Sequence, residues 1–227
     1  MAKYKSKKKL DSGNVVYEYG PRQIANRHKE KAEQLEHLDG QIGDLRKQYN
    51  KDLDSKNEKE SDAALAVALM DHTYERVGNK GSAEEGHYGV TEWRKKHVSF
   101  KGDKAVFEYV GKSGVKHTKE VTDKKLVSAL KERAKGKGDD DCLLCVSSSE
   151  VNDYLEPFGI TAKDIRGYHA NSEMHEALKT IRKDGPSLPK DRKEKDKILK
   201  EEFDEALEQT AEEIGRESCR ERVLRLV

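Results

Sequence analysis

Between residues 27 and 49 the apolar positions Ala32, Leu35, Leu38, Ile42, Leu45 and Tyr49 recur every three or four residues. That spacing brings side chains to one face of an α-helix, so the pattern predicts an amphipathic helix behind a short strand, together residues 17–60. Ser61 and Asp62 then offer an N-cap. The apolar run from Ala63 to Met70 predicts a more deeply buried helix that reaches Arg76, with Gly78 as its stop. Across residues 96–121 the period falls to two. HVSF, KAVFEYV and VKHTKEV alternate, divided by Lys101-Gly102-Asp103-Lys104 and Gly111-Lys112-Ser113-Gly114. This predicts a three-stranded antiparallel meander with Lys112 at the tip of its second hairpin.

The helical period returns after Thr122, after the serines at 147–149 and after Thr161, hydroxyls suited to capping a first turn. Pro186 and Pro189 interrupt it. A charge-dense segment from Lys190 to about Ala211 follows, with Leu199, Phe203, Leu207 and Ala211 four apart. So narrow a stripe predicts a protruding, linker-like helix. The chain therefore reads as mostly helical α+β. Its expected parts are a basic disordered arm (1–16), the strand and amphipathic helix (17–60), a core (61–185), the linker-like charged helix (186–214) and a tail without helical period (215–227).

Composition narrows the class. Only 33% of the 227 residues are hydrophobic and 39% are charged, which allows a modest core under a wet surface. No apolar run approaches the ~20 residues of a membrane span, and no apolar stretch follows the amino-terminal lysines. A membrane-spanning or classically secreted protein is not expected, and three cysteines suit reduced intracellular thiols. The formal net charge is +1, but residues 94–137 hold fourteen basic against five acidic side chains. A segregated basic stretch on a near-neutral chain is the footprint of a polyanion-binding face.

Three clusters put a cation on backbone expected to be rigid: TYERVGN (73–79) with Arg76, YVGKSGVKH (109–117) with Lys112, and ITAKDIRGYHAN (160–171) with Lys163 and Arg166 one helical turn apart. A phosphodiester gains negative charge in its five-coordinate transition state, and arginine's planar fork binds two such oxygens. Taken singly, each of these cations also reads as an ordinary solvated residue. Cys142-Leu-Leu-Cys145 has half of a zinc-ribbon spacing with no second pair, and reads as small apolar residues leading into a helix. His169 and His175 read as solvated polar positions. Trp93, beside Arg94, Lys95 and Lys96, reads as a core anchor more than as a base-stacking platform. No metal site is expected.

In this order TYERVGN, EEGHYGVTEWRKKHV (84–98), the VGKSGVKH hairpin and FGITAKDIRGYHAN resemble the catalytic core of type IB DNA topoisomerases, over roughly residues 17–214. The resemblance implies cleavage of one strand of duplex DNA by a tyrosine, swivelling through a 3′-phosphotyrosyl intermediate, and resealing without ATP or an obligatory metal or other cofactor. It implies that Arg76 and Arg166 stabilise charge on the phosphate, that Lys112 protonates the leaving 5′-oxygen, and that Lys163 supports them. Arg94, Lys95, Lys96 and Lys116 would bind DNA. A monomer acting with the chromosome inside the cell is expected.

The carboxyl end departs from the family. Arg216 stands where the family's histidine belongs, and no tyrosine follows Tyr168. No nucleophile is therefore assigned, and the chain reads as a catalytic-core fragment, inactive alone, missing part of the family's amino-terminal clamp. A tyrosine recombinase shares the arginine and lysine-hairpin logic, but Lys163-x-x-Arg166 stands where recombinases carry His-x-x-Arg. A non-catalytic duplex-DNA-binding module is the third reading, favoured by the missing nucleophile.

Overall fold

A computed structural model describes residues 5–9 and 15–214. The tail expected at 215–227, with Arg216, lies outside the described residues. In chain order the elements are β1 (Ser6–Lys9), β2 (Val15–Glu18), α1 (Pro21–Asp52), α2 (Glu58–Thr73), α3 (Lys80–Glu84), β3 (Val98–Lys101), β4 (Lys104–Val110), β5 (Lys116–Val121), α4 (Lys124–Ala134), α5 (Ser148–Leu155), α6 (Ala162–Asp184) and α7 (Arg192–Glu213). The architecture is mostly helical α+β. The central layer is α2, buried on nearly every side from Ser61 to Asp71, with α1, α4, α5, α6 and β5 packed around it.

The period-two segment forms the antiparallel sheet β3-β4-β5, in the register Phe107↔Val98 and Tyr109↔His117. Trp93 is a core residue, fully buried and stacked on Phe107 at 4.2 Å between ring centroids. Along α1 burial begins only at Leu38 and runs through Ile42, Leu45 and Tyr49. Ala32 is exposed and Leu35 half-buried, because the first turns of α1 extend past the core.

Several local expectations are corrected. Ser6–Lys9, expected within a disordered arm, pair with Val15–Glu18 as an antiparallel hairpin. The cap of α2 is Asn57, whose side chain accepts from the Lys59 N–H, and Ser61 and Asp62 lie one turn inside the helix. Both are buried cross-links. Ser61 donates to the Leu53 carbonyl, while Asp62 accepts from Arg133 of α4 and from the Cys145 N–H. A polar residue tied across the core resembles a cap in sequence, since both are small oxygen-bearing side chains beside an apolar run.

α2 also stops short of Arg76. It ends at Thr73, and Tyr74 takes the left-handed conformation with φ 61°. α4 is capped by Asp123, not by Thr122. Ser147 caps α5 as expected, whereas the Thr161 hydroxyl donates to Asp164 at the start of α6. α7 is only half a protruding arm. It folds back on α6, and Ala206, Leu207 and Ala211 pack with Met174 while its first two turns stay exposed. Cys142 and Cys145 are exposed, and the leucines between them fill the core. The thiols are therefore not the small apolar residues of that segment.

Candidate phosphate-binding site

The segment after α2 is shaped by backbone packing. Gly78 has φ +94°, a conformation that L side chains rarely adopt. Its Cα lies so near Gly89 that a Cβ on Gly89 would stand 2.4 Å from it. That approach lets residues 76–78 run beside 88–91, where the Val90 N–H donates to the Arg76 carbonyl and the Thr91 N–H to that of Val77. The Tyr88 N–H in turn donates to the Val110 carbonyl at the end of β4. Arg76 is thus fixed to the strand that leads into the Lys112 turn. That turn, Lys112–Gly114, is a single 3-10 turn closing β4 onto β5.

These elements enclose a cavity of about 410 Å³ against the first turn of α6. Arg76, Lys112, Lys163 and Arg166 all line it, with Asn79, His87 and Tyr88 among the other wall residues. Arg166 is 4% exposed, and its Nη2 donates to the Ile214 carbonyl at 2.7 Å. Lys163 also lines a second cavity, formed with residues 15–31. There it faces Lys31, whose pKa is pushed down to about 8 by burial and then by the Lys163 charge. A positive potential therefore continues from one cavity into the next. Four cations around one concavity, three of them from separate parts of the chain, favour an anion with several oxygens.

Arg94, Lys95, Lys96 and Lys116 do not line this cavity. Asp140 draws Arg94 and Lys96 aside, at 3.3 and 2.7 Å. Other cations of the basic stretch are also paired within the fold, Lys104 with Glu120, Lys125 with Asp54 and Arg133 with Asp62. The charge excess facing solvent is smaller than the sequence count implies.

Three features were not read from the sequence. The first is Tyr88, a tyrosine on the cavity wall, half-buried beside His97 at 4.3 Å with the Arg94 guanidinium 5.6 Å from its ring. The EEGHYGV motif marked its segment but gave no sign of its direction. The second is a network around Asp71. This carboxylate accepts from Arg46 Nε (2.8 Å) and Nη2 (3.1 Å) and from the Tyr49 hydroxyl (2.8 Å), and lies 2.8 Å from His169 Nε2. His169 is thus buried, not solvated, and stacks on Tyr74 at 4.2 Å. The third is a buried contact between Glu75 and His117. Tyr168 behaves as its position on α6 requires. Its hydroxyl donates to Asp39, on a face away from the cavity that Arg166 lines. His175 is exposed.

His97 carries a pH dependence. Its Nδ1 accepts from the Arg94 N–H at 3.0 Å, which requires that nitrogen unprotonated. Burial, then the charges of Lys96 and Arg94, push its pKa down to about 4. Between pH 6.5 and 4 the unfolded chain binds a proton that the native state refuses, so stability falls as pH falls through that window. The expected loss reaches about 3 kcal/mol at its acid end. Thermal unfolding at pH 7 and pH 5 checks it, and in His97→Gln the contribution of this group should vanish.

A model of the eukaryotic DNA topoisomerase I catalytic core matches residues 21–220. DNA topoisomerase 1 of Schizosaccharomyces pombe is 34% identical over 176 residues, 74% of this chain and 21% of that protein. The Candida albicans DNA topoisomerase 1 is 30% identical over 162 residues, 68% of this chain and 21% of the relative. The mitochondrial DNA topoisomerase I of Rattus norvegicus is 29% identical over 173 residues, 70% of this chain and 29% of its own length. The chain thus spans about a fifth of the first two relatives and under a third of the last. With four motifs in family order, their cations around one cavity and a family match across most of its length, this chain belongs to the eukaryotic DNA topoisomerase I catalytic core family.

Proposed function

We propose that this chain is the phosphodiester-handling core of a type IB topoisomerase, acting on duplex DNA without ATP and as a monomer with the chromosome. The observation that carries the reading is the convergence of Arg76, Lys112 and Arg166, separated by 36 and 54 positions in sequence, on one cavity. In this role the two arginines bind the non-bridging oxygens as charge grows on them, and Lys112 delivers a proton to the departing 5′-oxygen. Lys163, between the two cavities, steadies a neighbouring phosphate. Arg94, Lys95, Lys96 and Lys116 serve the flanking duplex, Arg94 and Lys96 by exchanging Asp140 for DNA phosphates.

The reading treats residues 61–185 as the catalytic core and 186–214 as a linker-like helix, with the nucleophile on a tyrosine-bearing segment beyond α7. Relaxation of supercoiled plasmid without ATP tests it on two chains. The 227-residue chain is expected to be inactive. The same chain extended through a tyrosine-bearing segment of a family member should relax the plasmid and leave a covalent 3′ adduct. Inactivity of a folded extended chain would leave a non-catalytic duplex-binding module as the reading. An adduct from the unextended chain would direct attention to Tyr88 on the cavity wall.

Duplex binding is expected to weaken steeply with salt. Each phosphate contact releases condensed counterions, with a slope of about −0.9 per phosphate in a plot of log affinity against log salt. The internal ion pairs of Arg94, Lys96, Lys104, Lys125 and Arg133 should hold the slope well below the count of cations in residues 94–137. Fluorescence anisotropy across a salt series measures it, and a salt-independent affinity would contradict the electrostatic account.

A further inference from the structure

Glu75 immediately precedes Arg76, and His117 lies on β5 just past the Lys112 turn. Both side chains are 2% exposed, with His117 Nδ1 and Glu75 Oε1 3.2 Å apart. On its other edge the imidazole closes against the backbone of Gly111. A Cβ built on Gly111 would stand 2.6 Å from Nε2 and 2.7 Å from Cδ2, so no larger residue fits without moving the ring or the turn. Tyr109 stacks over the same ring at 5.3 Å and 8°. The Gly111 N–H donates to the Val115 carbonyl at 2.7 Å, closing the turn that carries Lys112. Packed side chains thus run without a break from the neighbour of Arg76 to the residue before Lys112.

A buried carboxylate is a costly way to fill this space, and an apolar pair of similar volume would pack as well. Burial works against the charged form of Glu75. His117, and after it Arg166 and Lys119, outweigh that and hold the carboxyl below its ordinary range. The carboxylate therefore sits in the field of Arg166 as well as in contact with the support of Lys112. A polar contact differs from an apolar one in engaging one edge of the ring, here Nδ1 at 3.2 Å from the carboxylate. It fixes the imidazole edge-on between the carboxylate and Gly111.

We propose that the Glu75–His117 pair is a positioning device that locks Arg76 and the Lys112 turn into one rigid unit, so that the arginine and the lysine reach a single phosphate together. The proposal rests on reading the cavity as a phosphodiester seat. Neither residue lines the cavity, so both act through their neighbours. A misplacement of about 1 Å at such a site is enough to cost on the order of a hundredfold.

The test compares the affinity of the full 227-residue chain for two nicked duplexes that differ only in the 3′ group at the nick, phosphate or hydroxyl. Tyrosine attack of the type IB kind leaves the phosphorus on the 3′ side, so the 3′-phosphate mimics the covalent state without needing the nucleophile. The wild-type chain should prefer the phosphate end. Glu75→Gln, His117→Ala and Gly111→Ala should each reduce that preference on the order of tenfold. The double variant Glu75→Gln/His117→Ala should be no worse than His117→Ala alone, since both break one connection.

Circular dichroism and thermal unfolding establish that each variant is folded. Glu75→Gln, which keeps the shape of the side chain, stands in if His117→Ala unfolds. A wild-type chain indifferent to the 3′-phosphate would overturn the phosphate-seat reading and this inference with it. A wild-type preference that survives in the folded variants would overturn the positioning role alone. Unfolding of all three single variants would assign the pair to the core and overturn the positioning role as well.

Discussion

Arg166→Ala in the tyrosine-extended chain is expected to slow strand cleavage by roughly 10²–10³-fold, the usual cost of removing one preorganised donor from a developing oxyanion. Arg166 is held before any substrate arrives. It leaves the second turn of α6 as a 4% exposed side chain, with one nitrogen donating to the Ile214 carbonyl. A fork fixed in this way loses little freedom when it meets the phosphate, and contributes most when the phosphate carries most charge. Affinity for intact duplex should change far less, because on the proposed reading Arg76, Lys112 and Lys163, which line the same cavity, also meet the ground-state phosphate. Single-turnover cleavage and equilibrium binding, measured on the same variant, separate the two quantities. Equal losses in both would mean that Arg166 serves binding only. Arg166→Lys should recover part of the charge and none of the bidentate geometry.

Asp71→Ala is expected to cost about 3–5 kcal/mol of stability, the scale for removing one partner from a buried ionic network. Asp71 is 2% exposed at its side chain and serves Arg46, Tyr49 and His169 together. Its removal leaves the Tyr49 hydroxyl and the His169 imidazole facing a void between α1, α2 and α6. The melting temperature should fall by roughly 6–20 °C for a chain of this size. The damage should reach the site as well. His169 stacks on Tyr74, whose left-handed backbone sets the path to Arg76 two residues later.

The acid limb carries a second signature of the same group. Burial opposes the charge of Asp71, but hydrogen bonds from His169 and Arg46 outweigh it and hold the carboxyl far below the ordinary carboxylate range. Its contribution is therefore complete above the unfolded value near pH 4. It is lost progressively as pH falls from there towards the depressed native value. Acid unfolding below pH 4 should be shallower in Asp71→Asn than in wild type. An unchanged acid limb and melting temperature would contradict the role of this network.

What the sequence determined alone were the features that repeat along one element. The alternation in residues 96–121 specified three strands and put Lys112 in the second turn, because a strand with one buried face must alternate. The period of Leu38, Ile42, Leu45 and Tyr49 specified the inner face of α1 for the same reason. The spacing of Lys163 and Arg166 put both on the cavity side of α6. Burial on one element leaves a period that a single stretch of chain can display.

What only the tertiary structure decided were the partners. Asp71 and His169 are 98 positions apart, and locally each looks like any polar residue on a charged chain. Ser61 and Asp62 resembled a cap until Leu53, Arg133 and Cys145 were seen to meet them. The basic excess of residues 94–137 looked wholly available until Asp54, Asp62, Glu120 and Asp140 folded onto it. A buried polar group and a solvated one are written with the same letters. Their difference is whether a distant segment arrives to replace water, which no local period records.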